Sequence, residues 1–177
     1  MASTFNPIAQ GDSNIEVHHY YGGTVIIVSF LAIALQAFFH KYGRWSSYFD
    51  LPLLVTIYFG VSKRNPASGL FLGAAIGMAQ DALSHDNPIG LFGIAKTVVG
   101  YVASSVGARI DTENPISRFC LVFFLFHFHQ VIVAVIERVL LAQTSPMFTL
   151  LLFIHSLVNA GVGVILFAAL DKLRRSS

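Results

Sequence analysis

Two charged side chains that fall within apolar segments have the greatest potential for chemistry in this sequence. Asp81 closes the run G-L-F-L-G-A-A-I-G-M-A-Q-D, and Lys96 lies in L-F-G-I-A-K-T-V-V-G. An ionisable group in such a segment is costly unless it has a partner or a function. A short polar turn separates the segments, and the long lysine stem can carry its ammonium group towards that turn. We therefore predict an ion pair between Asp81 and Lys96 that fixes the register of a helical hairpin.

The histidines do not have the spacing of a local metal site. His127 and His129 are two residues apart, so on a helix they point in different directions and cannot chelate one ion as an i, i+4 pair would. His155 and Asn159 are four apart and share a face with Gly163. That face is predicted to bond to a neighbouring helix, and the alternative is that it lines a small polar cavity.

No sequence motif indicates catalysis, phosphate binding or metal binding. It contains no nucleophile elbow, phosphate-binding loop, paired carboxylates or metal-ligand spacing. The single cysteine, Cys120, rules out a disulfide within one chain. The net charge of +2 is too small, and the basic residues too scattered, for a nucleic-acid-binding protein. We predict no catalytic, cofactor-binding or metal-binding residues, no cofactor, and no enzymatic activity.

Composition indicates a membrane protein. Of the 177 residues, 55% are hydrophobic and only 11% are charged. A soluble domain needs more polar surface than this to cover its core, so we predict an all-α polytopic membrane protein.

The apolar segments predict about six transmembrane helices in a single domain over residues 24–171. A polar tail covers residues 1–23, and a short basic tail covers residues 172–177. The second segment is short for a membrane about 30 Å thick, which takes about 20 helical residues. The predicted spans are 24–40, 48–61, a central hairpin of two spans within 66–109, 118–142 and 147–170.

The distribution of basic residues predicts the orientation. With six spans both termini lie on one face, together with Lys63, Arg64, Arg109, Arg118, Lys172, Arg174 and Arg175. The opposite face has Lys41, Arg44 and Arg138. Because lysine and arginine concentrate in cytoplasmic loops, both termini are predicted to be cytoplasmic, and the turn of the central hairpin faces out.

The central hairpin has a small-residue stripe. Gly69, Gly73 and Gly77 are four apart and lie on one helical face with Asp81, so another backbone can approach closely there. We predict that this face and the turn after it bind partner helices. The predicted packing residues are Gly69, Gly73, Gly77, Asp81, Pro88, Gly90, Lys96 and Gly100.

These motifs together resemble one known family. The glycine stripe ending in Asp81, the following P-I-G, V-G-Y at residues 99–101 and D-L-P-L-L-V at residues 50–55 are similar to the rod shape-determining protein MreD family. The resemblance covers most of the chain after the N-terminal tail. The long polar tail and Lys96 within the fourth span depart from what the family leads us to expect.

The resemblance implies a non-enzymatic subunit of the bacterial inner membrane that supports peptidoglycan synthesis and cell shape. Its implied partners are the bitopic scaffold MreC and, through the complex, RodA and its class B transpeptidase. The implied fold is similar to the substrate-binding subunits of energy-coupling-factor vitamin transporters, and such a subunit is the alternative function. The first span offers no A-x-x-x-A motif for a transport partner, which favours the structural role.

Overall fold

The computed structural model describes residues 22–42, 48–84, 88–110, 112–142 and 149–173. In these segments the chain forms α-helices and no β-strand, which confirms the all-helical prediction. The predicted tail of residues 1–23 lies almost wholly outside the described residues, and so do residues 174–177 of the basic tail. The helices are α1 (Gly22–Tyr42), α2 (Leu51–Lys63), α3 (Pro66–Leu83), α4 (Leu91–Gly107), α5 (Pro115–Leu140) and α6 (Leu150–Asp171).

Three of these helices are long and apolar enough to cross a membrane. They are α1 over Gly22–Phe39, α5 over Pro115–Leu140 and α6 over Leu150–Asp171. Helices α2 and α4 are shorter but also apolar. Length and composition therefore indicate a membrane protein with three helices long enough to span the bilayer.

Polar caps set the helix boundaries. Asp50 caps α2 by accepting a hydrogen bond from the Leu53 N–H, and Asn65, Asn114 and Thr149 do the same for α3, α5 and α6. Prolines follow the first three of these caps, where the missing N–H is not needed. Local sequence thus accounts for four helix starts.

Helix α2 is the centre of the bundle. Every residue from Pro52 to Val61 is buried, and α2 contacts each of the other five helices. A helix surrounded on all sides needs no polar face, which explains why this segment is apolar throughout. It also explains how a helix of 13 residues is stable here, because its neighbours cover both its sides and its ends.

Helices α3 and α4 form a hairpin with backbone-to-backbone contact. The buried residues of α3 are Gly69, Gly73, Ile76, Gly77 and Asp81, so the predicted stripe is the packing face. A Cβ atom at any of the three glycines would overlap a carbonyl oxygen of α4, and one at Gly100 would overlap the Gly69 carbonyl. The stripe is covered by α4 of the same chain. The close helix packing predicted for this stripe is therefore made with α4, so the stripe is not open to a helix of another protein.

Replacing Gly73 by alanine should separate this hairpin. The new methyl group would overlap the Lys96 carbonyl oxygen, and backbone cannot move aside as a side chain can. We expect Gly73→Ala to lower the free energy of unfolding by at least about 2 kcal/mol. The measurement is reversible unfolding of the purified protein in mild detergent.

Gly161→Ala is the matched control for Gly73→Ala. Gly161 lies inside α6, and a Cβ atom there would meet nothing within 4 Å. Alanine favours a helix over glycine, so this substitution should be neutral or stabilise the protein by up to about 1 kcal/mol. Equal losses in the two variants would contradict the hairpin geometry.

Candidate functional site

The most polar part of the bundle interior is an ion pair between α4 and the residue that precedes α2. The Lys96 ammonium donates to both carboxylate oxygens of Asp50, at 2.9 Å to Oδ1 and 2.7 Å to Oδ2. The lysine side chain is fully buried, and that of Asp50 is 14% exposed. The ammonium also lies 5.2 Å from the centre of the Phe92 ring, a cation–π contact.

Asp50 bonds to three separate elements. Its Oδ1 accepts from the Leu53 N–H at 2.9 Å, which caps α2. Its own N–H donates to Oδ1 of Asn159 in α6 at 3.1 Å, and its carboxylate holds Lys96 of α4. One side chain and its amide therefore join the start of α2 to two neighbouring helices.

The short segment before α2, residues Tyr48–Asp50, is held by amide side chains. We call it the junction segment. Gln36 of α1 donates to the Phe49 carbonyl at 2.8 Å and accepts from the Leu51 N–H at 3.2 Å. Asn159 donates to the Tyr48 carbonyl at 2.7 Å. Backbone groups that helix α2 cannot satisfy are bonded in this way, as buried polar groups must be.

Asp81 does not pair with Lys96, and that prediction is wrong. Its carboxylate accepts from the N–H groups of Gly90, Phe92 and Gly93 at 3.0, 3.1 and 2.8 Å. It is 1% exposed. The physical reason is that the free N–H groups at the start of α4 and the positive end of its dipole already neutralise this carboxylate. Lys96 lies further along α4 and reaches Asp50 instead.

The positions of the other predicted packing residues divide into two groups. Gly69, Gly73, Gly77 and Gly100 lie inside the hairpin. Pro88 is exposed, and Gly90 is half-buried with φ +104°, where a Cβ atom would meet nothing within 4 Å. Of the predicted packing residues, Pro88 and Gly90 in the turn before α4 are therefore the ones that remain accessible to a partner.

The two histidines of α5 face different surroundings, as their spacing predicted. The His127 Nδ1 lies 2.9 Å from the Ser156 Oγ of α6. His129 is 1% exposed and stacks on Phe92 at 6.2 Å between ring centres. Neither nitrogen of the His129 ring has a hydrogen-bond partner within the described residues. The residues that the structure describes contain no group of three potential metal ligands.

His155 and Asn159 of α6 reach the junction segment. Asn159 bonds to the backbone of Tyr48 and Asp50, which lie in the junction segment. We predicted that this face of α6 bonds to a neighbouring helix, but its partner is the segment before α2. The His155 ring packs edge-on against Tyr48 at 5.0 Å. This end of the bundle, where α3 turns into α4 and α2 begins, is called the turn end.

A second polar contact, not predicted from sequence, closes the opposite end of the bundle. Arg118 of α5 forms a 2.7 Å ion pair with Asp171 of α6. Asp171 also accepts from the Tyr58 hydroxyl of α2 at 2.9 Å. A carboxylate thus ties the start of α2 to α4, and another ties Tyr58 in its second half to α6.

Two cavities lie among the residues that the structure describes, one of them small and the other open to the surface. A cavity of about 10 Å³, the space of one water molecule, lies between Val61, Arg118 and Phe167. A shallow apolar groove lies between α5 and α6, beside Phe119 and Gly161. Neither the cavity nor the groove is lined by Lys96 or His129. The ion pair therefore lies in the packed interior of the bundle.

Comparison of the chain with protein-family models, with curated proteins and with solved structures finds no match.

The Asp50–Lys96 pair should show strong coupling in a double-mutant cycle. Lys96→Met leaves a largely buried carboxylate, and Asp50→Asn leaves a buried ammonium while keeping a good helix cap. Each should cost about 3–5 kcal/mol in the free energy of unfolding, and the double variant less than their sum by more than about 1.4 kcal/mol. The free energy of unfolding in detergent is measured for each single variant and for the double variant.

The matched control for this cycle combines Lys96→Met with Asp81→Asn. Because Asp81 bonds to backbone amides of α4 and interacts with Lys96 only electrostatically, the coupling in this cycle should be smaller than in the Asp50 cycle. Additive losses in the Asp50 cycle, with coupling in the Asp81 cycle, would show that the pairing described above is wrong.

Asp81→Ala should loosen the start of α4. Three N–H groups would lose a charged acceptor in a buried site, so we expect a loss of about 2–3 kcal/mol and faster amide exchange at Phe92 and Gly93. Asn65→Ala removes an exposed cap of α3 and should cost only about 1 kcal/mol. A smaller loss for Asp81→Ala than for Asn65→Ala would contradict this role.

Proposed function

We propose that this chain is a non-enzymatic subunit of the bacterial inner membrane that works in the cell-elongation machinery, as MreD-like proteins do. Its partner would be a bitopic MreC-like scaffold, with RodA and a class B transpeptidase reached through the complex. The observation that carries the proposal is that the bundle's buried charges are bonded internally. A partner would therefore be recognised by the surface of the bundle, within the membrane and at the boundary between membrane and water.

The internal bonding argues for a structural role over a catalytic one. Asp50, Lys96 and Asp81 all have short contacts within the chain, and Asn159 bonds to backbone. A reaction centre keeps acids, bases or ligands ready for a substrate, usually in a concave pocket. Here these groups hold helices together.

The proposed arrangement in the membrane uses all six helices as spans. The long helices α1, α5 and α6 would set the thickness of the bundle, with α2, α3 and α4 packed among them. Under the positive-inside rule both termini face the cytoplasm and the turn end faces out. The single domain of residues 24–171 and the two tails stay part of this proposal.

The proposed partner surface lies at the turn before α4 and on the outward side of the hairpin. Ile89 is 86% exposed between Pro88 and Gly90. On α3 the side opposite the glycines exposes Phe71 and Met78. An apolar side chain at the tip of a turn, next to an apolar helix face, suits a partner helix that leaves the bilayer beside the hairpin.

The alternative is a substrate-binding subunit of a vitamin transporter. One observation favours it: the turn end gathers Asp50, Lys96 and His129, and Asp50 is partly exposed. Such a site would need an open cavity, whereas Lys96 and His129 are packed at 0% and 1% exposure. The structural role therefore accounts for more of the geometry.

Affinity purification of the tagged protein from bacterial membranes in mild detergent, with mass spectrometry, separates the two functions. Recovery of a bitopic scaffold together with cell-wall synthases would support the elongation role. Recovery of paired ATPases with a membrane coupling subunit would overturn it in favour of the transporter.

Ile89→Ser should weaken that co-purification. Loss of the most exposed apolar side chain in the turn removes contact area without disturbing a packed residue, so we expect scaffold recovery to fall by about tenfold while the yield of folded protein is unchanged. Ile116→Ser, at a residue 72% exposed near the opposite end, is the matched control and should leave recovery unchanged. Unchanged recovery with Ile89→Ser would contradict the proposed surface.

A further inference from the structure

Helix α6 has two glycines at its centre, and packing within the chain explains only one of them. A Cβ atom at Gly163 would lie 3.0 Å from the Val122 side chain, so the close approach of α5 requires that glycine. A Cβ atom at Gly161 would meet nothing within 4 Å. Glycine inside a helix is less stable than alanine, and no contact among the described residues requires it at position 161.

The missing side chain at Gly161 leaves room in the apolar groove between α5 and α6. The groove has a volume of about 400 Å³, within the range of about 300–1,000 Å³ that is typical of small-molecule sites. It is lined by uncharged residues of both helices: Pro115, Ile116, Phe119, Gly161 and Val164. Both helices are long and apolar enough to cross a membrane, so in a bilayer the open side of the groove faces lipid.

The distance from the groove to the end of α6 matches one leaflet of a bilayer. Gly161 lies at the middle of the 22-residue helix, and Lys172 caps its end. The two residues are 11 positions apart, which is about 16 Å along the axis of an α-helix. Half of a hydrocarbon core about 30 Å thick is about 15 Å. A chain that starts beside Lys172 therefore ends near Gly161 at the centre of the membrane.

The groove is narrower than a helix. Spread over about 16 Å, its volume of about 400 Å³ corresponds to a width of about 5–6 Å, whereas an α-helix with its side chains is about 10–12 Å wide. A single unbranched hydrocarbon chain suits this space better than a helix of a second protein does.

A cation stands on the same face of α6 as the groove. Four residues recur at intervals of three or four and so share this face: Gly161, Val164, Ala168 and Lys172. Lys172 is exposed and forms no ion pair within the described part of the chain. The neighbouring Asp171 is already paired with Arg118, and Glu113 before α5 has a contact of its own. The Lys172 ammonium is therefore available to an anion at the membrane surface.

We propose that the groove holds one acyl chain of an anionic phospholipid, whose phosphate pairs with the Lys172 ammonium. The chain lies beside Phe119 and fills the space over Gly161. Burial of its methylene groups supplies affinity, and the lysine selects a negative headgroup. Anionic lipids concentrate in the cytoplasmic leaflet, where the orientation proposed above places Lys172. The inference requires that α5 and α6 span the membrane, and it does not depend on the proposed partners.

Native mass spectrometry of the full chain in mild detergent tests the proposal without any variant. The protein is titrated with phosphatidylglycerol or with phosphatidylcholine of the same acyl chains, and the fraction of chains that carry one lipid is counted. We expect one site that binds phosphatidylglycerol at least about fivefold more tightly than phosphatidylcholine. Equal binding of the two lipids would overturn the proposal.

Two variants separate the chain contact from the headgroup contact. Gly161→Leu fills the groove where the backbone has room, so it should fold as the natural protein does and bind both lipids about tenfold more weakly. Lys172→Ala should weaken phosphatidylglycerol about fivefold and leave phosphatidylcholine unchanged.

The matched controls place the same changes elsewhere. Ala75→Leu adds the same bulk at an exposed alanine of α3, and Arg138→Ala removes a cation at the opposite end of α5. Both should bind lipid as the natural protein does. Natural affinity for phosphatidylglycerol in Gly161→Leu would contradict the proposal. A dimer of the natural chain that Gly161→Leu dissociates would also contradict it, because the groove would then hold a second copy.

Discussion

The buried contact between Asp50 and Lys96 is the interaction on which the rest of the bundle depends. It joins the start of the central helix α2 to α4, while the same aspartate caps α2 and its amide reaches Asn159 of α6. A buried ion pair adds little stability over an apolar contact of equal size, but either charge alone would be costly. The pair therefore contributes mainly to specificity, because an arrangement of α2 and α4 that separated the two side chains would leave both charges buried without a partner.

The second constraint is the absence of side chains between α3 and α4. Glycines let the two backbones touch, and that contact brings Asp81 to the free amides at the start of α4. In an apolar bundle, close packing and interhelical hydrogen bonds replace the hydrophobic effect between helices. At the opposite end of the bundle Arg118 pairs with Asp171, and the same carboxylate accepts a hydrogen bond from Tyr58 in the second half of α2.

The sequence predicted the helices well and their contacts less well. Apolar segments gave the helical class and the approximate position of each helix, because this signal is local. The glycine spacing predicted close backbone packing but not its partner, and we assigned that face to another protein when α4 covers it. Lys96 was recognised as needing an acid, yet nothing in linear order distinguishes Asp50, 46 residues away, from Asp81, 15 residues away. In the sequence Asp50 stood out only as the first residue of D-L-P-L-L-V, and no pattern indicated the contact of Arg118 with Asp171.

A structure of the chain in a lipid nanodisc by cryo-electron microscopy, with an antibody fragment to add mass, would test the central claim most directly. The decisive feature is the density of the Lys96 side chain. Our account predicts that it ends at the Asp50 carboxylate, with Asp81 on the amides at the start of α4. Density that carries Lys96 to Asp81, or out of the bundle towards the bilayer surface, would contradict it.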